Sequence, residues 1–377
     1  MVTRIRSRVL AVALGAFAVA SLGTVKSSMA QVGAAAVPFL QIEPDSRASA
    51  MGNASVAVAS DANATFWNPA GLGFQEGLEG ALTHSQWLPE FDAGLFYDYI
   101  AGKYHIKDWG TFAMHVTYLN LGEHEARDEQ NNPLGTFRSY DLAVGGSYGF
   151  KVSEKLALGT GLRFIYSNLA PGQIVGTQET KAGVAIGFDL AALFKSGRFN
   201  LAGVNSQASF GMNLANMGPS IQYSDSEQSD PIPTNLRFGW SYEMRFDDYN
   251  SLRIVNDFTK LLVDRDSTGT KGWTTAIFSA WKPISVNSGT QEDIDLNQLS
   301  VFNQLTIGLG LEYWYNDLFA LRGGYFYEHP ENGNRKFLTL GAGIRYNVIG
   351  VDFSYIYPLE ENHPLADTIR FSIIIGQ

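Results

Sequence analysis

Apolar side chains alternate with small or charged ones along most of this chain, in runs separated by Gly-, Asn- and Asp-rich turns. From Leu156 to Tyr166 one set of alternate positions carries Leu156, Leu158, Thr160, Leu162, Phe164 and Tyr166. The set between them is Ala157, Gly159, Gly161, Arg163 and Ile165. Further on, Leu236, Phe238, Trp240, Tyr242, Met244 and Phe246 alternate with Asn235, Arg237, Gly239, Ser241, Glu243 and Arg245. Side chains of a strand point to opposite faces in turn, so each run has one greasy and one polar face. Rings on one face and charges on the other suit lipid outside and water inside. The pattern predicts an all-β fold, a transmembrane antiparallel β-barrel.

Strands are expected near 76–87, 92–105, 108–121, 139–151, 155–168, 181–194, 205–217, 233–246, 250–263, 303–315, 318–329, 336–346, 348–358 and 366–376. That makes about fourteen, an even number, as a closed single-chain barrel with both ends in the periplasm requires. Short turns at Ser153-Glu154, Asp247-Asp248-Tyr249, Asn316-Asp317 and 347–350 would face the periplasm. Long polar connections at 122–138, 170–180, 218–232, 329–335 and 359–365 would then face outward. A fifteenth strand at 272–283 would put Asn316-Asp317 on the wrong side. Within it, Trp273, Ile277 and Trp281 fall at helical spacing. The stretch 264–302 therefore reads as one long extracellular loop with a short amphipathic helix. Its aromatic stripe, Trp273, Ile277, Phe278 and Trp281, either caps the barrel mouth or docks a partner.

Composition adjusts this picture in a few places. The 377 residues include 17 Tyr, 24 Phe and 39 Gly, a mixture suited to strands and tight turns. Mean hydropathy is −0.07, as alternation implies, and no apolar run after residue 30 is long enough for a membrane-spanning helix. The formal net charge of −10 argues against nucleic acid as a partner. Without cysteine there is neither a disulfide nor a thiolate metal site. Arg4, Arg6 and Arg8 precede the apolar stretch 9–22, and Ser28-Met29-Ala30 offers a small-x-small cleavage site. Residues 1–30 thus read as a secretory signal peptide. Export and barrel patterning together imply the outer membrane of a diderm bacterium. Residues 31–75 do not alternate and hold Phe39, Leu40, Met51, Phe66 and Trp67. They read as a hatch folded into the lumen rather than a disordered tail, leaving 76–377 for the barrel.

No constellation points to catalysis, a cofactor or a metal. The six His are scattered, and Ser and His lie outside any nucleophile elbow. Gly308-Leu309-Gly310 and Gly341-Ala342-Gly343 sit inside strands, which is no place for a dinucleotide loop. Asp141, Arg163, Asp189, Arg237, Glu243, Arg245, Asp257, Glu312, Arg322, Arg345 and Asp352 fall on the polar face. They either pair with one another and with the hatch, or line a permeation path.

The stretch 44–52, containing Pro44, Arg47, Met51 and Gly52, precedes Trp67-Asn68-Pro69-Ala70. This "R-A-x-x-M-G … W-N-P-A" signature resembles the N-terminal hatch of the FadL-like barrel superfamily. A finer resemblance is to the PorV family of the type IX secretion system, alongside its PorQ branch. It is carried by Val37-Pro38-Phe39-Leu40, by 257–263, by Leu311-Glu312-Tyr313-Trp314-Tyr315-Asn316, by 319–326, by 333–337 and by 364–372. The resemblance implies a fourteen-stranded, non-enzymatic barrel that does not itself conduct cargo. It implies as partners a SprA/Sov-type translocon, the C-terminal domains of cargo, the sortase of the surface attachment complex, and outer-membrane lipid or LPS. The competing expectation is a FadL-like channel for fatty acids or other hydrophobic molecules.

Overall fold

Fourteen strands hydrogen-bond in sequence order, and the last returns to the first. They are β1 Leu78–Gln86, β2 Phe96–Ile106, β3 Gly110–Arg127, β4 Pro133–Ser153, β5 Leu156–Asn168, β6 Gly183–Lys195 and β7 Val204–Met217. The ring continues with β8 Asn235–Arg245, β9 Asn250–Leu261, β10 Leu305–Tyr315, β11 Phe319–Tyr327, β12 Lys336–Tyr346, β13 Ile349–Pro358 and β14 Ile369–Gly376. Every pairing is antiparallel, and Ala81 of β1 sits opposite both Ala101 of β2 and Ile374 of β14, which closes the barrel. This computed structural model describes residues 35–376 except 92, 128–131, 176–177, 225–228, 267–268, 288–295 and 361–362. The signal peptide assigned to 1–30 lies outside the described residues.

Tight turns match the hairpin geometry that a twisted sheet prefers. Asn316 and Asp317 both adopt positive φ, at 55° and 49°, as a two-residue primed turn requires. At the opposite end, cross-strand rings form a row over Phe96, Tyr118, Tyr140 and Tyr166, with centroids 5.9, 5.8 and 6.0 Å apart. A second row of Phe112, Tyr148 and Phe150 lies toward the short turns, at 4.7 and 5.7 Å. Tyr140 and Phe150 are ten residues apart on β4. That is about 33 Å of strand, or about 25 Å of height at a tilt near 40°, the usual apolar band of an outer-membrane barrel. Between the rows the outward side chains are apolar and exposed, among them Leu158, Leu162, Phe164, Val184, Ile186 and Leu190.

One expectation needs correcting. Residues 122–138 are mostly not a loop: β3 runs to Arg127 and β4 begins at Pro133, still paired from Glu123–Arg138 to Arg127–Pro133. This hairpin stands beyond the aromatic row, where water bathes both faces, so the apolar alternation that marks a half-buried strand is lost. The helix in 264–302 spans Trp273–Ser279. It ends at Ser279, so Trp281 lies just past it and donates its Nε1 proton to the Ile277 carbonyl at 2.9 Å.

The barrel is filled by its own N-terminal segment, which contains two single-turn helices, α1 Ser46–Ser49 and α2 Ala64–Trp67. Its side chains are almost all buried, with Ala48, Met51 and Ala54 at 0% exposure and Trp67 at 1%. The wall makes room by omitting side chains. A Cβ at Gly324 would meet the Gly52 amide nitrogen at 2.1 Å, and one at Gly159 would meet that of Ala70 at 2.2 Å. One at Gly211 would meet the Val56 carbonyl oxygen at 2.2 Å. The in-strand Gly308-x-Gly310 pair faces Gly52 and Met51 in the same way.

The lipid-facing assignment is testable at Leu162, which is 61% exposed between the two aromatic rows. Arginine there should cost about 2–4 kcal/mol of barrel stability, as charge near the bilayer midplane does. Urea titration of protein folded into lipid vesicles reads the difference. An unchanged midpoint would remove Leu162 from the hydrocarbon.

Candidate functional site

Two regions carry the residues singled out from sequence. The first is the internal segment. Asp45 caps α1 by accepting from the Ala48 amide at 2.8 Å, and its second oxygen accepts the Trp67 indole proton at 2.5 Å. That bond joins the two halves of the signature. Asn68 donates to the carbonyls of Val56 and Ala192 at 2.8 and 3.1 Å, and its own oxygen receives the Ala70 amide. Pro69 then opens a 3-10 turn, Pro69–Phe74, where a missing amide proton costs nothing. Gly52 sits at φ 64° with its amide on Thr339 Oγ1, 3.0 Å away. Pro44 and Met51 are buried.

Arg47 reaches the wall. Its Nε and Nη2 bind both oxygens of Glu312, at 2.7 and 2.9 Å, the paired geometry that guanidinium and carboxylate favour. Glu312 is fully buried and also accepts from Arg322 at 2.9 Å and Arg253 at 2.8 Å. Arg322 continues to Asp352 at 2.7 Å, and Arg345 donates to the same carboxylate at 2.5 Å. Arg253 also binds Glu243, which accepts from Arg198 at 2.6 Å. Elsewhere Asp257 takes the Ser55 and Val56 amides, at 2.7 and 2.8 Å. Arg163 bonds Asp189, with 2.6 Å to Asn216. Arg237 instead lies over the Phe66 and Trp67 rings, at 5.3 and 4.7 Å. A cavity of about 40 Å³ remains between the segment and β6–β9, bordered by Ser60, Lys195, Glu243 and Arg253.

The second region is α3, Trp273–Ser279, in the long outer connection. Trp273 stands edge-on to Phe188 of β6, with centroids 5.1 Å apart and planes at 87°. Ala276 is buried and Phe278 is 82% exposed. The connection is tied down by Asp264, which sequence reasoning missed because an isolated Asp gives no pattern. Its carboxylate, 3% exposed as a residue, accepts from Lys271 at 2.8 Å, Lys282 at 2.7 Å and Ser279 at 2.6 Å. Burial alone would raise this carboxyl, but those three donors hold it well below the usual carboxylate range.

Two outcomes follow from these contacts. Glu312→Ala removes the carboxylate that three guanidiniums share, and removing one side of such a buried pair costs about 3–5 kcal/mol. Amide exchange across 45–60 should accelerate while the β3–β5 ladders stay protected; equal loss everywhere would mean that Glu312 holds the wall and not the segment. Asp264→Asn removes the charge both lysines share, and protease should then cut within 264–302 sooner. Because the folded carboxyl titrates below its unfolded value, its contribution is full above the ordinary carboxyl range. It is lost only as pH falls through that lowered value, so wild-type resistance should hold from neutral down to about pH 5. A loss already between about pH 7 and pH 6 would assign the restraint to another group.

The sequence matches the family described as Type IX secretion system protein PorV over residues 25–268, which includes the internal segment and β1–β9 but not α3. No curated protein is significantly similar. The crystal structure of the Pseudomonas putida toluene transporter TodX superposes with a TM-score of 0.51 at 11% identity, covering 89% of this chain and 98% of that one. A Ralstonia pickettii toluene transporter, TbuX, aligns at 15% identity over 89% of this chain and 98% of its own, TM-score 0.47. A Pseudomonas aeruginosa FadL homologue aligns at 14% identity over 88% and 98%, TM-score 0.45. At such identities the likeness speaks for fold alone. The family match covers well over half of the chain, and the barrel belongs in an outer membrane: the protein is a member of the PorV family of type IX secretion system proteins.

Proposed function

We propose that this outer-membrane component of the type IX secretion system is a non-enzymatic carrier. In this reading it sits beside a SprA/Sov-type translocon, receives the C-terminal domain of secreted cargo at its outer face, and passes the cargo to the sortase of the attachment complex. The observation that carries the reading is the seated N-terminal segment, which acts as a hatch. Arg47 on Glu312, Asn68 on Ala192 and Asp257 on the Ser55 and Val56 amides bind it to the wall on several sides. A polypeptide could pass only if all of these broke together, so cargo is handled outside the lumen. The outer connections, that of 264–302 among them, supply the docking surface.

A second reading has one observation in its favour. The β6–β7 ladder shifts register between Leu214 and Met217, where Asn216 takes φ 57°. A break in the wall is where a hydrophobic molecule could leave sideways, and TodX is by name a toluene transporter. Here Asp189 receives the Asn216 amide at 2.8 Å, and Asn216 bonds the Pro233 carbonyl, which keeps the break stitched.

Removal of 264–302 with a short linker in its place separates the readings. The barrel should still fold, while co-purification of cargo from the native host should fall to background. Capture at wild-type strength would take docking away from this connection. Saturable binding of radiolabelled long-chain fatty acid, with no translocon co-purifying, would favour the channel instead.

A further inference from the structure

Phe188, which Trp273 touches, belongs to the outward register of β6, between Ile186 at 51% and Leu190 at 53% exposure. Across the ladder Phe188 pairs with Leu162 of β5, 61% exposed and four residues below Tyr166 of the outer aromatic row. Four residues of strand are about 13 Å, or about 10 Å of depth at a tilt near 40°. Trp273 therefore reaches the outside of the wall roughly 10 Å below the level of the aromatic row. Met217, paired with Phe188 on its other side, is only 2% exposed, so the wall is covered here where its neighbours are bare.

We infer that the segment Trp273–Trp281 is an interfacial lip, lying in the outer leaflet over the seam between β6 and β7. Its occupant is the acyl-chain layer of the membrane. Trp273 faces the wall, and Phe278, five residues on, is turned about 140° from it around the helix. Its ring is 82% exposed, a costly placement in water and a favourable one among acyl chains. Trp281, 42% exposed, adds a second ring with a polar edge, the type enriched at membrane interfaces. Lys271 and Lys282 bracket the segment. Their long stems let the ammonium groups gather on Asp264 at the headgroup level while the carbon chains lie against apolar surface. The lip is thus continuous with the lipid-facing belt of the barrel, and it lies over the place where the β6–β7 ladder shifts.

The absence of cysteine allows a direct test on the full chain in lipid vesicles. Nitroxide labels are placed singly by Phe278→Cys, by Ile186→Cys on the lipid face, and by Asp248→Cys at a water-exposed turn. Phe278→Cys removes a ring that is mostly exposed, so the fold is retained. Collision with oxygen and with a polar nickel chelate is then read by electron paramagnetic resonance. The label at 278 should match that at 186, its oxygen-to-nickel ratio several-fold above that at 248. A ratio equal to that at 248 would place the lip in water and overturn the inference. Protection from both reagents would overturn it too, by showing protein packed on this face.

Discussion

In hydrocarbon every backbone N–H and C=O must find a partner within the protein, and the rest of this structure follows from that constraint. An open sheet would leave two edges unpaired at a cost of several kcal/mol for each group. The ring closes instead through Ala81 opposite Ile374. Closure fixes an inside and an outside, and period two then sends every second side chain to each. The chain meets both demands at once: Leu158, Leu162 and Phe164 face lipid, while Arg163, Asp189 and Glu312 are enclosed.

Enclosed charge needs partners, and the N-terminal segment supplies several. Glu312 is held by Arg47 from the segment and by Arg253 and Arg322 from the wall. Three cations around one carboxylate leave no acceptor for a fourth group, so the segment is fixed in orientation as well as position. The polar interior acts here as a fastener.

Much of this was legible in the sequence, for a physical reason. Alternation over ten or more residues arises where a strand separates two unlike media, and a helix would scatter the same residues around its axis. Strand number, parity and the lipid-facing set were therefore readable from runs such as 156–166. The helix at 273–279 was readable because Trp273 and Ile277 repeat at four rather than two. Contacts between distant segments were not. Nothing local told that Arg47 meets Glu312, or that Gly308 and Gly324 are bare because Met51 and Gly52 press against them. The hairpin formed by the ends of β3 and β4 escaped because both its faces meet water. Asp264 escaped because its partners, Lys271 and Lys282, become neighbours only once the connection folds back.

The bare wall glycines also bear on how such a chain can change over generations. At Gly159, Gly211 and Gly324 even a methyl group would collide with backbone of the segment. A substitution there cannot be absorbed by a rotamer, since what it strikes is main chain. It survives only beside a second change that moves or shortens the loop opposite. The segment near 51–70 and the wall at 159, 211 and 324, far apart in the gene, are thereby bound to drift together, and paired variation across homologues should trace the line along which loop and wall are seated.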